Sequence, residues 1–386
     1  MEKEIKVAML LYTQGLEYDD RIRKEILTLQ KKIPNLRFTI FAVVPENKEK
    51  NGITDYGVEF HIPYLKSRDK YLSGKKTLLK AYDFYKTVKP RLKDFDVIWC
   101  ADIETFMFPL LLSRSTKLVW DQHEIPARFI ANGIMKQVFR YMESKCDIMY
   151  HANQPRIEYL KKCGAIKYPD RHIPIRNYPE NLESACPVPD EKFFEFEKWL
   201  GNRECVYVQG VSGKGRKCYE TLSSVLSHPD MCAVVVGGVD KEDIKKVTDE
   251  YGESIINERL FFTGKVPQKN TKLYIKKCIV ALVFYATNTP NNIYCEPNRM
   301  FQSIMMGIPV IVGNNPSMKD VIDKYQVGIS LDNDGSDIES IKLALDDILR
   351  QYDLYKSNVL RNRDKLCWDH QENLLTETFR NRILNQ

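Results

Sequence analysis

The chain lacks any CxxC pair, because its ten cysteines stand singly between Cys100 and Cys367, which removes the usual zinc and redox motifs. They read as reduced thiols of a cytosolic protein. Those in VIWC (97 to 100) and ECVYV (204 to 208) sit in apolar runs, where cysteine acts as a small hydrophobe. No low-complexity block is present. The first apolar run, Val7 to Tyr12, is too short for a signal-peptide core or a membrane span, so export is not expected. A GxGxxG fingerprint and the GKS or GKT ending of a Walker loop are both missing. No DxD-type carboxylate pair stands at a convincing strand end for a metal, so no metal site is expected.

What is there is a soluble globular composition, 43% hydrophobic and 28% charged, in 386 residues, a length that predicts two domains. The formal charge of +6 is mild but uneven, since ten Lys or Arg face two Asp from Lys66 to Lys93. That stretch reads as a helix with Leu78, Leu79, Tyr82 and Tyr85 inward and its lysines in water. Its charge and interleaved tyrosines also suit an anionic membrane surface or a lipid diphosphate.

Short β-branched or aromatic runs alternate with helical periodicity. Strands are predicted at 5–13, 37–44, 58–63, 96–102, 117–121 and 147–152, with helices at 19–32, 76–93, 104–113, 127–145 and 154–163. After the proline-rich IPIRNYPENLESACPVPDE (173 to 191) the pattern restarts, with strands at 204–210, 232–238, 259–264, 279–285, 308–312 and 327–331. Apolar strands separated by helices predict two α/β, doubly wound parallel sheets. The expected domains are 1–180, a linker at 181–203, 204–354, and a C-terminal helical segment 355–386 packing back on the first domain.

Ligands of such sheets bind at the carboxyl ends of strands. The first strand ends in TQGLEYDDRIRKE, where Gly15 lets backbone approach a ligand. Arg21 there is either part of a solvated helix face or a cation aimed at phosphate. VWDQHEIP sets Asp121, His123 and Glu124 at a strand end, where a neutral imidazole would position a hydroxyl or accept a proton, or serve structure alone. VQGVSGKGRKCYE combines Gly210, Gly213 and Gly215 with Lys214, Arg216 and Lys217 between strand and helix, either a diphosphate cradle or an exposed loop. In EPNRMFQSIMMGIPVIV (296 to 312), Pro297 suits a first helical turn and the amides near Asn298 and Arg299 would face the sheet's carboxyl edge. Gln302 lies to one side of that helix, as a surface residue of good helix propensity would.

Taken in order, YDDRIRKEILTL, DQHE, YVQGVSGKGRKCYETL and EPNRMFQSIMMGIPVIV resemble the motifs of family-four glycosyltransferases of the GT-B fold, over about residues 5 to 330. The resemblance implies two Rossmann-like domains facing a central cleft, the first for the acceptor and the second for the nucleotide sugar. It places the diphosphate on helix-start amides near Pro297, Asn298 and Arg299 and on a cationic pair, Arg216 with Lys217 or Lys214, beside Gly210. His123 matches the histidine that approaches the donor hexose, Gly15 the loop facing the diphosphate, and Arg21 a nearby electrostatic or structural support. Many members carry two glutamates eight positions apart, on the sugar and on the ribose. Tyr294 and Gln302 stand there instead, with Glu296 two residues from the first. A glutamine still offers the ribose one acceptor and one donor.

The implied activity is hexosyl transfer from a nucleoside-diphosphate sugar to a glycan or lipid-linked acceptor, with retention, without metal or cofactor, in surface polysaccharide or glycoconjugate synthesis. A nucleotide-sugar 2-epimerase and a non-catalytic sugar-nucleotide-binding scaffold are the alternatives. Expected partners are the nucleotide sugar, the acceptor and an anionic membrane surface, with no nucleic acid. The expected place is the cytoplasm, with peripheral attachment to the inner face of the membrane.

Overall fold

The computed structural model describes residues 3–72, 74–180, 187–213 and 215–385. The chain divides into two compact units, one running to Asn177 and taking up Gln371 onward, the other spanning Tyr178–His370.

The first unit holds eight strands: β1 Ile5–Tyr12, β2 Leu36–Val43, β3 Lys50–Ile53, β4 Glu59–Ile62, β5 Val97–Ala101, β6 Lys117–Gln122, β7 Ile148–His151 and β8 His172–Pro174, in the order β3-β4-β2-β1-β5-β6-β7-β8. All neighbours are parallel except β3, which runs antiparallel to β4. β1 is apolar on both faces because both are covered, and Val7 to Leu11 are buried.

The second unit holds β9 Cys205–Val211, β10 Cys232–Val239, β11 Leu260–Gly264, β12 Val280–Val283, β13 Val310–Val312 and β14 Gly328–Ser330, all parallel, in the order β11-β10-β9-β12-β13-β14. Alternate residues of β9 enter opposite cores. Cys205 and Tyr207 pack with Phe196, Tyr274 and Phe301, while Val206 and Val208 pack with Leu222, Val225 and Leu345. Both sheets are doubly wound, reversing direction between β1 and β5 and between β9 and β12.

Several boundaries differ from expectation for local reasons. The helix expected over 127–145 is broken into Ala127–Ile130 and Gly133–Glu143, because the Asn132 side chain accepts the Met135 amide at 3.0 Å and starts the helix anew. In the expected linker, residues 181–186 lie outside the described residues. Its later part forms the helix Glu191–Leu200, capped by Asp190, with Phe193, Phe196 and Leu200 in the second core. The segment expected to pack wholly on the first domain is shared. Val359 and Leu366 belong to the second core, whereas Phe379 stacks on Trp99 of the first unit at 6.0 Å and Thr378 meets the Tyr150 hydroxyl at 2.9 Å.

The helix Thr77–Val88 is also turned differently. It buries Ala81, Phe84, Tyr85 and Val88, with Phe84 edge-on to Tyr12 and Phe108, and leaves Leu78, Leu79 and Tyr82 outside. Among the described residues no helix is long and apolar enough to cross a membrane.

Candidate functional site

In the first unit the carboxyl ends of β1 and β6 carry the singled-out residues. Gly15 is buried with an extended backbone at φ 165°, so it is not needed for a left-handed turn. A Cβ there would meet the flexible Glu17 carboxylate at 2.8 Å. Gly15 also lines a cavity of about 550 Å³ with Gln14, Glu17, Val44, Glu46 and Lys50, at the ends of β1 and β2.

Arg21 is neither a solvated cation nor a phosphate-directed one. It lies one residue into the helix Asp20–Lys32, is 5% exposed, and grips Asp121 with Nε at 3.0 Å and Nη2 at 2.7 Å while Nη1 donates to the Ile175 carbonyl at 2.7 Å. Its Nε is also 3.0 Å from Glu25, one helical turn on. The physical reason is burial, since a carboxylate at the end of β6 requires a cation.

Asp121 in turn receives His123, with Nε2 at 2.8 Å from Oδ2. Burial penalises the charge on Asp121, but Arg21 and His123 outweigh it and hold the carboxyl far below the ordinary range. Burial depresses His123 too, yet the Asp121 carboxylate prevails and lifts it to about 9. The pairing with Asp121 favours the imidazolium over the neutral imidazole expected from the sequence. Glu25 is fully buried and its pKa is pushed well above the carboxylate range, first by burial and then by Asp121. Sequence reading missed Glu25, although its i+4 spacing from Arg21 was the available signal. The His123 carbonyl accepts from Arg156, which fixes the loop from the far side.

In the second unit the loop after β9 needs its glycines. Gly210, Gly213 and Gly215 have φ of 59°, 96° and 99°, in the region that other residues avoid. The Gly215 carbonyl accepts the Ala286 amide at 2.8 Å and ties this loop to the end of β12. Arg216 lies over the Tyr285 ring, 4.1 Å from its centroid, and donates to the phenol oxygen. Lys217 is the left-handed residue before the helix Cys218–Ser227, and its ammonium pairs with Asp334 at 3.1 Å. Asp334 also accepts the Thr287 amide at 3.0 Å. Lys214 lies outside the described residues.

Pro297 is the N-cap, extended at ψ 134°, rather than a first-turn residue, and the helix runs Asn298–Met305. Glu296 is half-buried just before it. Arg299 is buried and turned inward. It donates to the carbonyls of Gln209, Gly210 and Phe284, the last at 3.2 Å, and lies 5.0 Å from the Tyr285 centroid. Its guanidinium thus staples the ends of β9 and β12, where the sheet reverses. Gln302 is not a surface residue, because every residue from Arg299 to Met305 is buried. It is 8% exposed.

Arg216, Gly215 and Arg299 at the start of the Asn298–Met305 helix therefore converge around Tyr285 and Ala286, at the carboxyl edge of β9 and β12. That is where an open parallel sheet takes its ligand. Among the described residues no group of three or more His, Cys, Asp or Glu could hold a metal ion.

Residues 215–364 match the family model described as Glycosyl transferases group 1. No curated protein matches this chain. Among solved structures, sucrose-phosphate synthase from Thermosynechococcus elongatus is similar over 99% of this chain and 100% of its own, at 12% identity and a TM-score of 0.77. The N-terminal domain of trehalose-6-phosphate phosphatase from Candida albicans is similar over 100% of this chain and 98% of its own, at 11% identity and a TM-score of 0.75. HepE from Anabaena, solved in complex with UDP-glucose, is similar over 98% of this chain and 100% of its own, at 12% identity and a TM-score of 0.71. The resemblance to GT-B glycosyltransferases is borne out by both findings: the second unit carries the glycosyltransferase match, and the whole chain has the fold.

Proposed function

We propose that this protein transfers a hexose or related sugar from a nucleoside-diphosphate sugar to a glycan or lipid-linked acceptor, with retention at the anomeric carbon. The observation that carries the reading is the convergence at Tyr285 of Arg216, a turn of left-handed glycines and a helix start. Cleavage of the donor leaves negative charge on the departing phosphate. Arg216, once lifted from the Tyr285 phenol, and the amides at Asn298 and Arg299 would act on that growing charge. The reaction so drawn needs no metal, and a chelator should leave turnover unchanged.

Arg299 holds the strand ends in place, and Lys217 neutralises Asp334 beside the same loop; we assign both to positioning. Gln302 offers an acceptor and a donor to the ribose hydroxyls. In the first unit His123 would donate to a sugar hydroxyl, with Arg21 and Asp121 fixing its ring. UDP is the natural first probe, since HepE is solved with UDP-glucose. The acceptor class, a role in surface polysaccharide or glycoconjugate synthesis, and attachment to the inner face of a membrane belong to the same reading.

Incubation with a panel of nucleotide sugars tests it. Slow donor hydrolysis, or transfer when an acceptor is supplied, is the expected result. A changed sugar would make the protein an epimerase, and binding without turnover a scaffold.

A further inference from the structure

We propose that the outer face of the Thr77–Val88 helix, with the loop before it, is a docking surface for an anionic lipid bilayer. The helix has two apolar faces. Ala81, Phe84, Tyr85 and Val88 enter the first unit's core, which leaves Leu78, Leu79 and Tyr82 exposed at 64%, 47% and 49%. Leu72, in the preceding loop, is 81% exposed. That loop is tied to the helix by Lys80, whose ammonium donates to the Leu72 carbonyl at 2.7 Å. Four large apolar side chains on one helix and its own loop form a patch that a soluble surface rarely leaves open.

The charge around the patch selects the occupant. Lys86 shares the helix face of Tyr82 at the spacing of one turn, and Lys75, Lys76 and Lys89 flank the helix at its two ends. All four are exposed. The two acids within the basic stretch are engaged: Asp83 accepts the Ser67 amide at 2.8 Å, and Asp69 accepts Asn47 at 2.6 Å and the Tyr64 hydroxyl. Apolar side chains ringed by long cationic ones match the boundary between acyl chains and anionic headgroups, where lysines reach outward as leucines enter.

Position in the fold gives the surface a purpose. β4 is parallel to β2, and β2 to β1, so the chain leaves β4 at the same sheet edge as Gly15 and His123. The helix then runs back toward the start of β5, which places its N-terminal turn, with Leu78 and Leu79, at that edge. A bilayer seated there would present headgroups to the edge where the first unit carries its ligand-facing loops. This function rests on the reading of the acceptor as lipid-linked.

Flotation of the full chain with vesicles of phosphatidylcholine alone, and of phosphatidylcholine mixed with phosphatidylglycerol, tests the surface. Partitioning should favour the anionic vesicles by about tenfold or more and weaken with salt. Leu78→Ser with Leu79→Ser, and separately Lys75→Glu with Lys76→Glu and Lys86→Glu, should each reduce it by about tenfold or more. Tyr82→Trp should show blue-shifted emission on adding anionic vesicles. Equal partitioning into both vesicle types, or a leucine variant that binds as the wild type does, would overturn the proposal. So would a protein that ignores vesicles and changes from dimer to monomer in the leucine variant, which would assign the face to a second copy. Donor hydrolysis in vesicle-free buffer reports on the transferase reading alone, and these exposed substitutions should leave it unchanged.

Discussion

His123 shows how one neighbour sets the chemistry of a residue. Its pKa is raised, so its pairing with Asp121 contributes fully below the ordinary histidine value of about 6.5 and fades as pH climbs through about 9. The melting-temperature advantage of wild type over His123→Gln should therefore shrink between those limits and vanish above them. Asp121→Asn leaves Arg21 buried without its carboxylate and should cost about 3–5 kcal/mol in urea unfolding. Glu25→Gln should cost far less, because burial already drives that carboxyl toward its neutral form. Gln302→Glu distinguishes ribose contact from packing. Tighter UDP binding places the side chain on the ligand, whereas lower stability with unchanged affinity returns it to the helix interior. The sequence told which residues stand at strand ends, since DQHE and GKGRK follow apolar runs. It could not tell that Arg21 and Arg299 turn inward, because that depends on carbonyls and carboxylates distant in the chain, Ile175 and Asp121 for one and Phe284 for the other.

At the scale of elements, periodicity identified most strands and failed where a pattern had two solutions or too little length. In the Thr77–Val88 helix both 78/79/82 and 81/84/85/88 satisfy helical spacing, and only packing against Tyr12 and Phe108 decides for the second. β3 and β8 were invisible for a different reason, being four and three residues long with sequences KNGI and HIP. The helix Glu191–Leu200 was hidden by the prolines before it, although Asp190 is a good cap and its side chain takes the Phe193 amide at 2.9 Å. Caps give this scale its own prediction. Asn132→Ala should lower stability by about 1 kcal/mol by removing the bond to Met135. UDP affinity should be unaffected, since the capped helix lies in the first unit.

For the molecule as a whole, the restart of alternation after residue 191 correctly announced two doubly wound sheets, because a parallel strand buried on both faces has a sequence signature that survives without alignment. The division of the C-terminal segment was not legible, since Leu366 and Phe379 look alike in sequence and enter different cores. Phe379→Ala should destabilise the first unit by about 3–5 kcal/mol, seen as an earlier melting transition, by emptying the space against Trp99. The functional reading rests finally on Arg216, which follows the glycine turn and lies over Tyr285. Calorimetric titration of UDP into the wild type and Arg216→Ala tests it most directly. Loss of a charged hydrogen bond of about 1.5–3 kcal/mol should weaken binding by roughly tenfold to a hundredfold; equal affinity in the two proteins, both folded, would contradict the assignment of this loop to the donor phosphates.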